Sequence, residues 1–225
     1  MEKKTFIFDL NGTMIDDMEY HARAWYDILN HDLKAGLTKN EVNMQMYGKN
    51  DELLERIFGK NHFDETRMKE LSLEKERRYQ QAYLPNLKLI NGLQQFLERS
   101  EQSGIPMAIG SAAITFNIDF VLDNLNIRHF FKAVVSADDV TTSKPDPETF
   151  IKCAKLLNVS PEHCIVFEDA PKGVEAAQNA GMKCIVLTTM HEKEDFSQYK
   201  NVIEFIKDYT SVNPVDLSER KEIKM

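Results

Sequence analysis

Four short clusters hold residue types that could do chemistry together. They are Asp9 in Phe8-Asp9-Leu10-Asn11-Gly12-Thr13, Ser111 in Ile109-Gly110-Ser111, Lys144 in Ser143-Lys144-Pro145, and the pair Glu168-Asp169. Carboxylates brought together repel unless a cation lies between them, and hard oxygen donors favour magnesium. A hydroxyl at Ser111 and an ammonium at Lys144 add donors and positive charge for a bound anion. A metal and a lysine around a phosphoryl group form the electrostatic clamp that its transfer needs. A carboxylate left over from metal binding is a competent nucleophile that would form an acyl phosphate. Gly12 would let backbone amides approach a phosphate closely.

Each cluster has an ordinary explanation when taken alone. Asp9 could cap a loop, Asn11-Gly12 is a common turn dipeptide, Ser111 could be a turn former and Lys144 a solvated loop lysine. Glu168-Asp169 could be an acidic pair at a helix start. What sets the clusters apart is position, because each comes at the end of a short apolar run or one loop later. The expected strands are Thr5–Phe8, Pro106–Ile109, Ala133–Ser136, Cys164–Phe167 and Lys183–Leu187, with an edge strand at Val202–Ile206. Helical stretches between them indicate βα units and a parallel sheet. In such a sheet the carboxyl ends of the strands share one edge, where ligands bind. The clusters are therefore expected to meet there.

Helix-end signals support the alternation. Asp146-Pro147 and Ser160-Pro161 place a capping side chain before a proline at the first helical position, and Gly181 stops Ala176–Ala180. From Ile15 to Pro85 no strand is evident, only helical periodicity. Ile15–His31 carries Tyr20, Ala24 and Ile28 at helical spacing, and Thr38-Lys-Asn-Glu41 fits a capping box. Asp51–Phe58 and Glu65–Tyr83 complete the set. The expected architecture is α/β, a Rossmann-like parallel sheet core with helices on both faces and an inserted all-helical cap. Its boundaries are residues 1–14 and 87–217 for the core, 15–86 for the cap and 218–225 for a tail. Met14–Asp17 and Leu84–Leu89 would be the hinges.

The 225 residues and 42% hydrophobic content suffice for one good core and a small second domain. With 36 acidic against 28 basic residues the net charge is −8, which repels nucleic acid and anionic lipid in the absence of a basic patch. The densest basic run, Glu74-Lys75-Glu76-Arg77-Arg78, reads as a solvated helix face. Cys153, Cys164 and Cys184 are odd in number and without metal-knuckle spacing, so they are expected to be buried thiols with no role. The apolar stretch before Asp9 is too short for a signal peptide's core or a membrane span. A cytoplasmic protein is expected, with no nucleic-acid or membrane partner.

Phe6-Ile-Phe-Asp9-Leu-Asn11-Gly12-Thr13 resembles the nucleophile motif of the haloacid dehalogenase superfamily. Ser111, Ser143-Lys144-Pro145-Asp146-Pro147, and the segment from Phe167 to Val174 resemble its second, third and fourth motifs. The run Glu19–Trp25 and the cap position are similar to the β-phosphoglucomutase-like subgroup, and since capped members of this kind often act as monomers, the resemblance implies a monomer. The resemblance implies that Asp9 is the nucleophile and that Mg²⁺ is held by Asp9, the Asn11 carbonyl and Asp169, with help from Glu168. Gly12, Thr13, Ser111, Ala112 and Lys144 would meet the transferring phosphoryl group. Among cap residues, His21 and Lys75 match positions that tune closure and acid–base catalysis, and Lys49 could meet an anionic substrate group.

One departure matters. The family's phosphatases and mutases carry a second aspartate where this chain has Asn11, and an amide has no proton to give a leaving oxygen. His21 could take over that transfer, the substrate could be an activated phosphate, or the asparagine could be a replacement that traps a complex. At Tyr47-Gly48-Lys49-Asn50-Asp51 the mutase's arginine is replaced by Asp51, and Ala112-Ala113-Ile114 lacks the mutase's lysine and asparagine. The expectation is a Mg²⁺-dependent phosphatase acting on a small phosphorylated metabolite, with the cap excluding water during transfer. A sugar phosphomutase, a nearly inactive phosphate-ligand binder and a dehalogenase are the alternatives.

Overall fold

The computed structural model describes residues 4–219. Among these, six strands form one sheet: β1 (Thr5–Phe8), β2 (Met107–Gly110), β3 (Ala133–Val135), β4 (Cys164–Glu168), β5 (Lys183–Leu187) and β6 (Val202–Ile206). All neighbours pair in parallel in the order β3-β2-β1-β4-β5-β6. The first three strands grow one way from β1 and the last three the other, so the order reverses between β1 and β4. A doubly wound sheet opens its ligand crevice at such a reversal.

Alternation along β1 assigns its side chains to two layers. Ile7 points into a cluster with Ala108, Val166, Cys184 and Val186, which helices α7 (Glu148–Leu157) and α8 (Pro171–Asn179) cover with Phe150, Cys153, Val174 and Ala177. Phe6 and Phe8 point to the opposite face. There Phe8 stacks on Phe167 at 4.7 Å, and Phe96 of helix α5 (Leu93–Gln102) closes on Phe6 at 5.5 Å. Helices thus cover both faces, as the alternation requires. The three cysteines are buried free thiols. Burial, ahead of neighbouring charges, pushes Cys153 and Cys164 up to about 12, so they stay protonated.

The chain separates into two compact units, Met1–Asp16 with Lys88–Met225, and Asp17–Leu87. Where the chain leaves and re-enters the first unit, the two passages lie side by side. Ile15 bridges Leu89, and the Ile90 N–H donates to Met14 O at 2.9 Å. The second unit is helical, packed around Trp25, Ile28, Leu29, Leu53, Leu54 and Leu71. Its helices are Met18–Tyr26, Lys39–Asn43, Asn50–Phe58 and Glu65–Tyr83, the first running on as a wider π turn over Asp27–Asp32. The Thr38–Glu41 capping box is present in both directions.

Several local expectations need correction. The first cap helix starts at Met18 because Ile15 is held in its bridge to Leu89. Pro147 precedes α7 instead of opening it, while Asp146 still accepts from the Glu148 N–H at 2.9 Å. Ser160-Pro161 starts only a three-residue turn, and Ser160 makes no side-chain cap. Pro106 lies outside β2, and Ser136 leaves β3 to cap the turn after it. Of the tail expected at 218–225, Ser218 and Glu219 end a helix that begins at Pro214, and the remainder lies outside the described residues. No helix among the described residues is long and apolar enough to cross a membrane.

Phe167 is fully buried between Phe6, Phe8 and Phe96, so Phe167→Ala should cost about 3–5 kcal/mol. Leu156 is 65% exposed, and Leu156→Ala should stay within about 0.5 kcal/mol. Urea denaturation of the two variants checks the contrast, and equal losses would contradict this layering.

Candidate active site

Strand register brings three of the clusters level. Phe8 pairs with Ile109 on one side and with Phe167 on the other, so Asp9 emerges beside Gly110 and Glu168. The Asp9 N–H extends the ladder to Phe167 O at 2.9 Å, which fixes where its side chain leaves the sheet. Asp9, Glu168 and Asp169 are 7%, 2% and 4% exposed. Each offers one oxygen within 4.8 Å of the others.

Lys144 joins them from the loop before α7, next to a cis peptide bond to Pro145. Its ammonium donates to Asp9 Oδ1 at 2.6 Å and to Glu168 Oε1 at 2.8 Å. Burial alone would lower its pKa, but the facing charges of Asp9 and Glu168 outweigh burial and hold it above the ordinary lysine value. Glu168 is satisfied on its other oxygen by the N–H groups of Asp169 and Ala170, both at 2.9 Å. Asp169 is held more loosely, by the Thr13 hydroxyl at 3.3 Å. Burial, then repulsion from Glu168 and Asp9, raises its pKa well above the usual carboxylate value, against the pull of Lys144 and Thr13.

Two glycines make room for these carboxylates. Gly12 has a φ of +76°, and a Cβ there would overlap the Asp169 carboxylate. A Cβ at Gly173 would overlap that of Glu168. Ser111 stands one residue beyond β2, its N–H bonded to Val135 O at 3.0 Å and its Oγ accepting from the Ala113 N–H at 3.1 Å. Ser111 is buried and Ala112 half-buried, just past the edge where Asp9 leaves the sheet. Asn11 and Ile15 bridge each other in the turn after β1.

The donor set fits a magnesium ion. The ligand atoms are hard oxygens, and three carboxylates against one ammonium leave two negative charges, which a divalent cation would balance. Asp9 and Asp169 would be the side-chain ligands. Glu168, already tied to Lys144 and two backbone N–H groups, is placed to support them.

The remaining expected residues lie in the helical unit. His21 is buried, stacked on Tyr79 at 3.7 Å, with Nε2 3.2 Å from Asp17 Oδ2 and Nδ1 2.6 Å from Lys75 Nζ. Lys75 also donates to both oxygens of Glu76 at 3.0 Å, and burial lowers its pKa against the pull of Glu76 and Asp17. The run Glu74–Arg78 is therefore not a uniformly solvated face. Lys75 and Glu76 turn inward, while Arg77 is exposed and Arg78 reaches Asp32 and Glu74. Lys49 opens the helix Asn50–Phe58, its N–H donating to Glu52 Oε2 at 2.9 Å.

Sequence reasoning missed Thr189, Tyr209, Asp17, Glu76 and Tyr79. Thr189 donates to Gly12 O at 2.7 Å and Tyr209 to Thr13 O at 3.1 Å. Thr189 lies two residues past β5, so the end-of-strand rule that singled out Asp9 also applied to it. For the others the sequence carried no comparable signal.

Residues 6–187 match the family described as haloacid dehalogenase-like hydrolase. Fructose-1-phosphate phosphatase YqaB of Escherichia coli is 32% identical, over 80% of this chain and 93% of that protein. β-Phosphoglucomutase of Bacillus subtilis is 34% identical, over 80% of each. Among solved structures, a family IA, variant 3 hydrolase of Entamoeba histolytica superposes with a TM-score of 0.84 at 27% identity, covering 96% of this chain and 100% of that one. A match that starts in the strand carrying Asp9 and ends with β5 takes in all four clusters, and the chain belongs to the haloacid dehalogenase-like hydrolase family.

Proposed function

We propose that this chain is a Mg²⁺-dependent phosphatase that hydrolyses a small phosphorylated metabolite through phospho-Asp9. The observation that carries the reading is Lys144 joining Asp9 to Glu168 across the strand reversal, with Asp169 beside them. Relatives named as a fructose-1-phosphate phosphatase and a β-phosphoglucomutase support the substrate class.

In this reading the Asp9 carboxylate attacks phosphorus, the bond from phosphorus to the leaving oxygen breaks, and an acyl phosphate forms. Water then attacks that phosphorus, the phosphorus–oxygen bond to Asp9 breaks, and the carboxylate is freed while the water's protons leave with inorganic phosphate or to solvent. Lys144, Ser111 and the backbone around Gly12, Thr13 and Ala112 hold the negative oxygens of the transferring group. Asp9, Asp169 and the Asn11 carbonyl would hold the ion, which would supply further charge neutralisation when bound. His21 and Lys75 form a buried network with Asp17 and Glu76, and His21 has both ring nitrogens engaged inside it. We therefore assign neither of them the proton transfer.

That leaves the leaving oxygen without a proton donor at Asn11. Slow turnover, or a substrate whose leaving group departs as an anion, follows directly. The same asparagine favours a second reading, a phosphate-ligand binder with almost no turnover.

Phosphate release from a panel of phosphorylated metabolites with Mg²⁺ separates the two. Asn11→Asp should raise kcat by about 100-fold or more on the best substrate, since general acid–base help has that size. Asp9→Asn placed on top of it should return release to background. If both the original chain and Asn11→Asp are inactive across the panel, the binder is the better description. Removal of Mg²⁺ with EDTA should abolish release by Asn11→Asp, and undiminished release would rule out the metal-dependent route.

A further inference from the structure

The turn after β1 doubles back within a few residues. The Gly12 N–H donates to Ile15 O and the Met14 N–H to Leu10 O, both at 2.8 Å. Between them lies the Gly12–Thr13 peptide, whose own N–H makes only a long bond to Leu10 O at 3.4 Å. Gly12 has the widest backbone freedom of any residue type, and its φ of +76° is one of many values open to it. Local bonds alone therefore hold this peptide weakly.

Two hydroxyls from far along the chain take the carbonyls that the turn presents. Thr189 Oγ1 donates to Gly12 O at 2.7 Å, and the Tyr209 hydroxyl donates to Thr13 O at 3.1 Å. Neither donor is loosely placed. Thr189 directly follows Thr188, whose N–H is bonded to Ile206 O at 2.9 Å. The Tyr209 N–H is bonded to Asn91 O, and its ring lies 5.3 Å from Phe96 and 5.7 Å from Phe167. The aromatic layer under the sheet thus decides where the Tyr209 hydroxyl stands.

We propose that Thr189 and Tyr209 are positioning residues for the magnesium site, acting through the Asn11–Thr13 turn. Fixing the carbonyls of Gly12 and Thr13 fixes the successive peptide planes. The Asn11 carbonyl, opposite the Gly12 N–H in its own trans peptide, is aimed by that N–H's bond to Ile15 O, and holding the next plane at Gly12 O restrains the rotation about Gly12 that would loosen it. Held at the same turn, the Thr13 hydroxyl keeps its bond to Asp169 Oδ1. With an amide in place of a carboxylate at position 11, the backbone carbonyl is that residue's contribution to the ion. The inference rests on the magnesium reading of Asp9, Asn11 and Asp169 given above. Partners that orient a metal's ligands typically change affinity by 10–100-fold when removed.

Calorimetric titration of the full chain with Mg²⁺ tests this, with thermal melting of every variant alongside. Thr189→Val keeps the shape and removes the hydroxyl. It should weaken Mg²⁺ binding by about 10-fold or more, and Thr189→Ser should restore it. Tyr209→Phe should weaken binding in the same direction, and amide exchange at Gly12 and Thr13 should quicken in both weakened variants. If Thr189→Val does not fold, Tyr209→Phe with Thr189→Ser carries the comparison. Unchanged affinity in the folded hydroxyl-deletion variants overturns the positioning role and leaves the phosphatase reading standing. Absence of Mg²⁺ binding by the unaltered chain overturns both.

Discussion

Three carboxylates buried within 4.8 Å of one another are the constraint around which the rest of this structure is arranged. At an effective dielectric of about 20, each such pair of full charges repels by roughly 3 kcal/mol. Lys144 offsets this for Asp9 and Glu168, which it contacts at 2.6 and 2.8 Å. Asp169 has a hydroxyl for company and is driven toward its protonated form by burial and by its two neighbours. A fold that conserves space at Gly12 and Gly173 for such a cluster is built for positive charge to arrive. In the proposed reading a divalent ion, and behind it an anionic substrate, would supply that charge.

The sheet makes that concentration of charge possible. Reversal of strand order between β1 and β4 opens a crevice at their carboxyl ends, and register places Asp9 and Glu168 at the same level beside it. Below them Phe6, Phe8, Phe96 and Phe167 form a rigid aromatic layer that ties the strand carrying Asp9 to the strand carrying Glu168. Interiors packed in this way transmit little slack, so the backbones that carry Asp9 and Glu168 stay level with each other.

Much of this was legible in the residue order. Short apolar runs marked the strands because parallel strands are buried on both faces, and polar residues just past their ends marked the site. Lys144 could be placed with Asp9 although they are far apart in sequence, since it lies one loop beyond the end of its strand. What could not be read depends on contacts between distant segments. Lys75 and Glu76 look like any charged helix pair, and their burial becomes visible only once His21 and Tyr79 stand opposite. Tyr209 sits past an edge strand, where nothing local distinguishes a buried donor from a surface tyrosine. Pro147 and Ser160 show the limit of helix-end signals, which locate a boundary to within a residue or two and do not say how long the helix will be.

The central claim is that Asp9, Asp169 and the Asn11 carbonyl gather around one divalent ion. Crystals grown or soaked with Mn²⁺, a hard-oxygen substitute for Mg²⁺, would show it by anomalous scattering. One peak bound by Asp9, Asp169 and the Asn11 carbonyl, with Glu168 still held by Lys144, is the predicted result. No peak among these carboxylates at saturating Mn²⁺, or Asp9 turned away from Asp169, would contradict the account.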